Sequence, residues 1–276
     1  SVLEDYGFGI ELLEELISNF EWWTKEHQRE NGLYWSIDDR DAMEFSISGS
    51  GFRPTLNSYL YADAVAISRL AEKAGKDDIA SRFAKEAEML KECVQNHLWN
   101  GDFFQVIPAR IDCREKRFIE CSTLDFKKIP SDRNVKELIG YIPWYFNLPD
   151  AGYEKAFYYL TQEENFLGKS GLRTADRSHP RFAYEVPHEC LWNGPAWPFA
   201  TTQALVALAN LLQNYSQEFV SKTDYYRILK SYSKSQHRIT EEGKRIPWID
   251  EDQDPETGEW IARTILKEAG WKPEKG

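Results

Sequence analysis

His188-Glu189-Cys190-Leu191-Trp192-Asn193-Gly194-Pro195-Ala196-Trp197-Pro198 is the stretch on which the reading of this chain turns. Two indoles, an amide, a glycine and two prolines stand together where an apolar helical pattern begins. Pro198 suits the first position of a helix, and Ala204, Leu205, Leu208, Leu211 and Leu212 follow at helical spacing. Gly194 and Pro195 set a turn ahead of it. Trp192 and Trp197 offer flat apolar faces, and Asn193 offers paired donors and acceptors. A pyranose has apolar C–H faces and a belt of hydroxyls, so these are the groups a sugar ring requires. The same tryptophans also suit a loop plug packed into a core.

Working outward, the pattern is helix after helix. Leu12, Leu16, Phe20 and Trp23 predict a first helix over roughly 9–28. A second begins near Asn57, with Leu60, Ala64, Ile67 and Leu70 on one face, and Gly75 stops it. Asp77 or Asp78 can cap a third, which carries Phe83, Ala87, Leu90, Val94 and Leu98. Asn134 can cap a fourth over 135–146, and a fifth is expected near 152–161. The helix from Pro198 is the sixth. A seventh spans 222–239, with Tyr225, Ile228, Leu229 and Tyr232, and a short piece follows near 262–269. Strand signal is limited to a hairpin of Asp102–Ile107 with Arg117–Cys121. Helix pairs separated by long loops stack into a solenoid or close into a toroid, and in a toroid the long loops share one face.

Composition narrows the classes. Of 276 residues, 42% are hydrophobic and 14% aromatic, enough for a large core and an aromatic-lined cleft. The net charge of -11 argues against a nucleic-acid surface. No apolar run is long enough to cross a bilayer, so no membrane partner is expected. No leader peptide is legible, which sets a cytoplasmic expectation; the chain starts at Ser1 rather than Met, as a processed form or a piece of a longer protein does. Cys93, Cys113, Cys121 and Cys190 contain no C-x-x-C pair, and the five histidines lack ligand spacing, so no metal and no cofactor are expected. Cys113 and Cys121 are near enough in sequence for a disulfide across the hairpin.

Two acidic loops carry candidate chemistry. The first holds Trp35, Asp38, Asp39, Arg40, Asp41, Met43, Glu44 and Phe45, without the EF-hand order of a calcium loop. The second runs from Trp248 through Asp250, Glu251, Asp252 and Asp254 to Trp260, with a turn at Asp254-Pro255 through Gly258. Two carboxylate loops with tryptophans suit a glycosidase pair, one carboxyl protonated and one ionised. Solvated charge clusters are the plain alternative.

In order along the chain stand Ala42-Met43-Glu44-Phe45-Ser46, Thr55-Leu56-Asn57-Ser58-Tyr59-Leu60, Gly171-Leu172-Arg173-Thr174-Ala175, Trp192-Asn193-Gly194-Pro195-Ala196-Trp197 and Glu251-Asp252-Gln253-Asp254 followed by Pro255-Glu256-Thr257-Gly258. This series resembles the inverting α-glycosidases of glycoside hydrolase family 63, the bacterial mannosylglycerate hydrolases and, more distantly, the trehalases. The resemblance implies an all-α fold, an (α/α)6 toroid of helical hairpins with the small β-hairpin, over a single domain of residues 1–276. About seven helices and a short one do not fill six pairs, so either the toroid is incomplete here, as a partial catalytic domain of a longer enzyme, which is the favoured expectation, or it contains irregular helices that the pattern does not show. The resemblance also implies hydrolysis of an α-linked glycoside with inversion. Glu44 stands at the acid position, where those families hold Asp, and Asp41 is the alternative acid. Glu251 stands at the base position, with Gln253 where an aromatic is usual. Trp35, Trp192, Trp197 and Trp248 are candidate walls of a carbohydrate site, and Asn57, Arg173, Asp176 and Asn193 candidate partners for hydroxyls. Asn57 as a helix cap, and Arg173 paired with Asp176, are the structural alternatives. Three other functions fit parts of the pattern: a non-catalytic carbohydrate-binding toroid, a solenoid for protein partners, and an (α/α)6 isomerase or lyase using His179 or His188. Oligomeric state is not legible.

Overall fold

The computed structural model describes residues 5–112, 114–115, 117–121, 123–184, 188–240, 242–268 and 270. Short α1 (Gly7–Glu11) leads into α2 (Leu13–His27), and the helical hairpin α3 (Pro54–Lys73) and α4 (Asp77–Leu98) forms the largest packed unit. Pro54 and Pro198 open α3 and α6 (Pro198–Asn214) at a position whose N–H has no helical partner to lose. Gly75, at φ +71, takes the left-handed backbone that turns α3 into α4. Across that hairpin Leu60, Ala64, Ile67 and Ala71 face Phe83, Ala87, Leu90 and Val94 in the main core. Helix α6 is buried on most sides and packs against short α5 (Ile142–Tyr145) and α7 (Lys222–Ser235). Helix α8 (Ile261–Glu268) closes the described fold.

The chain is not purely helical. Strands β1 (Trp35–Ser36), β2 (Gly51–Phe52), β3 (Ile107–Asp112) and β4 (Arg117–Cys121) form an antiparallel sheet in that order, and β5 (His237–Ile239) pairs with β6 (Arg245–Pro247). The expected hairpin exists, but its first strand is β3, five residues later than predicted. Asn100 Oδ1 accepts the N–H groups of Asp102 and Phe103, which folds 100–103 into a turn. Phe103, Phe104 and Val106 are then all buried, which alternation does not allow for a one-sided strand. The Cys113–Cys121 pairing lies outside the described residues at Cys113.

Five further elements depart from the sequence pattern. The buried stripe of α2 is Leu13, Ile17 and Phe20, while Leu12 and Leu16 are 37% and 38% exposed. Asp77 and Asp78 lie in the first turn of α4 rather than at its cap, which is Lys76. The predicted helix over 135–146 is a 3-10 turn, Leu138–Tyr141, running into α5. A Cβ at Gly140 would overlap the Phe103 ring and the Phe104 carbonyl, so the backbone itself is the packing surface. Asn134 gives its amide to the Phe126 carbonyl instead of capping. Residues 154–161 are 3-10 helical, with Glu154, Phe157 and Leu160 buried at a period of three. The seventh helix stops at Ser235, because Gly243 (φ +77) turns β5 back into β6. Among the described residues no helix is long and apolar enough to cross a membrane.

Candidate active site

Glu44 sits in an irregular loop between two non-glycine residues in the left-handed region, Ala42 (φ 59) and Phe45 (φ 60). Such a conformation costs about 1–3 kcal/mol per residue and persists only where neighbours enforce it. The enforcing group is Arg53, whose side chain is wholly buried beneath the loop. Its Nε donates to Asp41 Oδ2 at 2.7 Å, and its Nη1 donates to Ser46 Oγ at 3.1 Å and the Gly49 carbonyl at 2.6 Å. Thr55 gives its hydroxyl to the same Asp41 oxygen, and Glu137 takes the Ser48 hydroxyl and N–H from below. Burial opposes the Arg53 charge, but Asp41 first and Glu137 next outweigh it and hold the guanidinium above its ordinary range. Asp41, the alternative acid, is thus the counter-ion of Arg53 inside the loop; its Oδ1 is buried without a partner.

Backbone bonds tie this loop to the tryptophan segment and then to the second acidic loop. Trp192 donates its N–H to the Glu44 carbonyl at 3.1 Å. Two residues earlier, Cys190 Sγ donates to Glu251 Oε2 at 3.1 Å. Burial pushes the Cys190 thiol well up, the Glu251 carboxylate adds to that, and Glu44 acts in the same direction. One thiol therefore feels both candidate carboxylates, which lie 207 positions apart in the numbering. Further along, Thr174 N–H and Oγ1 both donate to the Pro195 carbonyl, and Ala196 and Gln253 exchange N–H···O bonds of 2.9 and 2.8 Å. Arg173, Ala196, Gln253 and Trp260 form a run of single bridges. Gly194 is required at its place: a Cβ there meets the Phe182 ring at 2.9 Å and the Ala183 nitrogen at 3.2 Å.

Trp192 and Trp197 stack with ring centres 4.5 Å apart and planes at 22°. Both rings are buried, and an edge of Trp197 reaches a cavity of about 320 Å³ that Phe199, Tyr232, Ile249, Asp250 and Glu251 also line. Phe199 stands edge-on to Trp192 and is half exposed at 51%. On the Glu44 side, Phe45 rests 4.8 Å from the His188 ring. His188 Nδ1 accepts the Cys190 N–H, and His179 is tied to Ser131 and Arg181 in its own loop.

Other polar candidates are occupied by the fold. Asn57 spends its whole amide on backbone, donating to the carbonyls of Tyr34 and Arg53 and accepting the Tyr34 N–H. It lies inside α3 rather than capping it. Arg173 donates to the carbonyls of Glu163, Asn165 and Leu167 and pairs with Glu256, not with Asp176. Asp176 accepts from Asn165 and Ser178 and faces Lys136 at 3.9 Å. Asn193 is buried, donating to the Tyr184 carbonyl, with its Oδ1 unpartnered. Trp35 stacks on His27 at 4.4 Å within the core, and Trp248 lies between the guanidinium groups of Arg238 (3.8 Å) and Arg263 (5.4 Å). Sequence reasoning passed over Cys190, Arg53, Glu137 and Phe199. Cys190 and Phe199 were within or beside the quoted stretch; the buried pair left no periodic signal. Asp252, next to Glu251, was quoted without a role. It is fully buried, accepts the Ala262 N–H at the start of α8, and has its carboxyl pushed up to about 7 by burial, with Glu251 adding to it. Among the described residues no three His, Cys, Asp or Glu side chains are grouped to hold a metal ion.

The profile of the mannosylglycerate hydrolase MGH1-like glycoside hydrolase domain matches residues 1–265. No curated protein matches the chain significantly. Among solved structures, a chain named sialidase is 37% identical with a TM-score of 0.80 over 94% of this chain. This chain spans 22% of that one. An uncharacterized conserved protein from Thermus thermophilus superposes with a TM-score of 0.64 at 12% identity, over 95% of this chain and 72% of its own. The GH63 mannosylglycerate hydrolase from the same organism, solved in complex with glucose, gives 0.63 at 12% identity, over 93% and 67%.

Proposed function

We propose that this chain, which belongs to the mannosylglycerate hydrolase MGH1-like glycoside hydrolase domain family, hydrolyses an α-linked glycoside with inversion at the anomeric carbon. The observation that carries the reading is the chain of contacts between the two loops: Trp192 donates to the Glu44 carbonyl and Cys190, two residues earlier, donates to the Glu251 carboxylate, beside one stacked tryptophan pair. The fold is taken as part of an (α/α)6 toroid whose loop face carries the site.

In the proposed mechanism Glu44 gives its carboxyl proton to the leaving oxygen as the anomeric C–O bond breaks. A water attacks the anomeric carbon from the opposite face and gives its proton to Glu251. The products are the inverted sugar and an alcohol; Glu44 ends as carboxylate and Glu251 as acid, and solvent restores both. Inversion needs room for that water, which sets the carboxyl separation at about 6.5–9.5 Å. Trp197 and Phe199 supply the apolar wall. Asp41 is assigned to holding the acid loop through Arg53, because its charge is already matched there. The buried amide of Asn57 and guanidinium of Arg173 are likewise assigned to loop architecture. The glucose in the mannosylglycerate hydrolase neighbour supports a sugar ring as ligand.

The test is a comparison of substrates. Glu44→Gln should lose about 10²–10⁴-fold on an α-linked disaccharide, the usual worth of a general acid, and far less on an aryl α-glycoside whose leaving group needs no proton. The same selectivity in Asp41→Asn, and not in Glu44→Gln, moves the acid to Asp41.

A further inference from the structure

We propose that the groove along α7 binds an anionic oligosaccharide, one carrying several carboxylates or sulfates. It is a cavity of about 1100 Å³, larger than the roughly 300–1,000 Å³ of a usual small-molecule site and so suited to an oligomer. Its wall carries five Lys or Arg side chains (Lys169, Arg227, Lys230, Lys234 and Arg238) against one carboxylate, Glu259. This occurs in a chain of net charge -11, where a positive wall is the exception.

The charges are arranged and available. Arg227, Lys230 and Lys234 follow at i, i+3 and i+7, so they form one ridge on the outer face of α7. All three are exposed. Arg227 shares Asp224 at 3.3 Å and Lys169 shares Glu256 at 3.7 Å, but among the described residues no carboxylate lies within ion-pair distance of Lys230 or Lys234. Thr223, Ser231 and Thr257 also line the groove, Ser231 donating to the Lys169 carbonyl, and Tyr226, 60% exposed, carries the Lys230 ammonium 5.6 Å over its ring. Cations, hydroxyls and an exposed aromatic ring together fit a charged sugar chain better than a bare phosphate. A side cavity of about 210 Å³ shares Lys169, Arg227 and Ser231 and adds Arg177.

The groove also adjoins the cleft of Glu251. Arg238 of the groove lies over Trp248, whose indole N–H donates to Asp250 of the cleft, so two side chains join groove to cleft at the β5 end. A glycan long enough to pass those two side chains would extend from the groove toward the proposed hydrolytic site; this continuity, and nothing else in the proposal, rests on the hydrolase reading.

Calorimetric titration of the full chain with a galacturonate hexamer tests it, with maltohexaose as the neutral control. The hexamer should bind at least tenfold tighter than the control and weaken sharply in 0.5 M salt, as a partly exposed charge site does. The double variant K230E/K234E should lose about tenfold, the worth of reversing two exposed charges, with an unchanged melting temperature. Its hydrolysis of a short neutral aryl α-glycoside should match the parent. Equal binding of the two hexamers, or of hexamer by parent and variant, overturns the proposal. A single-stranded oligonucleotide bound more tightly than the galacturonate hexamer overturns the assignment to glycan. Loss of the groove's binding leaves aryl glycoside turnover to stand by itself, and absent turnover leaves the binding result unaffected, so the two failures are separable.

Discussion

Replacing Asp41 by asparagine asks whether the loop that carries Glu44 is held by charge. The Arg53 side chain is 0% exposed and that of Asp41 is 4% exposed, so water does not screen the pair. Asparagine keeps the shape, removes the charge and leaves the guanidinium with Glu137 and Asp38 as its nearest remaining negative groups. Breaking a buried pair by deleting one partner costs about 3–5 kcal/mol, and the residual carboxylates place this case near the lower figure. For 276 residues at about 2.1 cal/mol/K of unfolding entropy each, ~3 kcal/mol corresponds to a fall of ~5 °C in Tm. Thermal melts at pH 7 read it. Arg53→Met should fall further, because it strips the guanidinium from the Ser46 hydroxyl, the Gly49 carbonyl and buried Glu137 as well as from Asp41. An Asp41→Asn variant that melts with the parent refutes the reasoning, as does an Arg53→Met variant no worse than Asp41→Asn.

Two further outcomes follow from the site. Cys190 should alkylate slowly with iodoacetamide at pH 8, since burial and the neighbouring carboxylates keep the thiol protonated, and Glu251→Gln should speed it; peptide mapping follows the modified residue, and an unchanged rate contradicts the contact. Asp252, pushed up to about 7, holds a proton in the folded state that the unfolded chain releases near pH ~4, so its contribution is complete below that pH and is lost as pH rises to about 7. Denaturant midpoints of Asp252→Asn should then decline less than the parent's across that window, and parallel declines rule the effect out.

The long helices α3, α4 and α6 were legible because one face of each repeats at helical spacing over at least four turns. The one-residue slip of the α2 stripe shows the limit: Leu12, Leu13, Leu16 and Ile17 are all apolar, and only packing selects Leu13 and Ile17. The 3-10 segment of 154–161 was read as an α-helix because Ala156 and Phe157 fit either period. For the candidate site, the ordered set of short segments was legible, but their joining was not. Ala196 meets Gln253 through a reciprocal pair of backbone bonds, and Trp192 meets Glu44 through one, and no periodicity announces either. Polar loop residues were ambiguous for a different reason. Asn57 and Arg173 look alike in sequence whether they hold a sugar or a carbonyl, and every Asn57 amide group is engaged by backbone. Trp35 and Trp192 carry the same ambiguity, since an indole that walls a cleft and one that fills a core have the same composition.

Proton NMR of the first sugar released from an α-linked disaccharide reaches the central claim in one observation. Water delivered by Glu251 to the face opposite Glu44 predicts that the β-anomer appears first and then mutarotates. The α-anomer appearing first would contradict it, because that outcome requires a covalent intermediate and a carboxylate attacking carbon where the account places one that activates water.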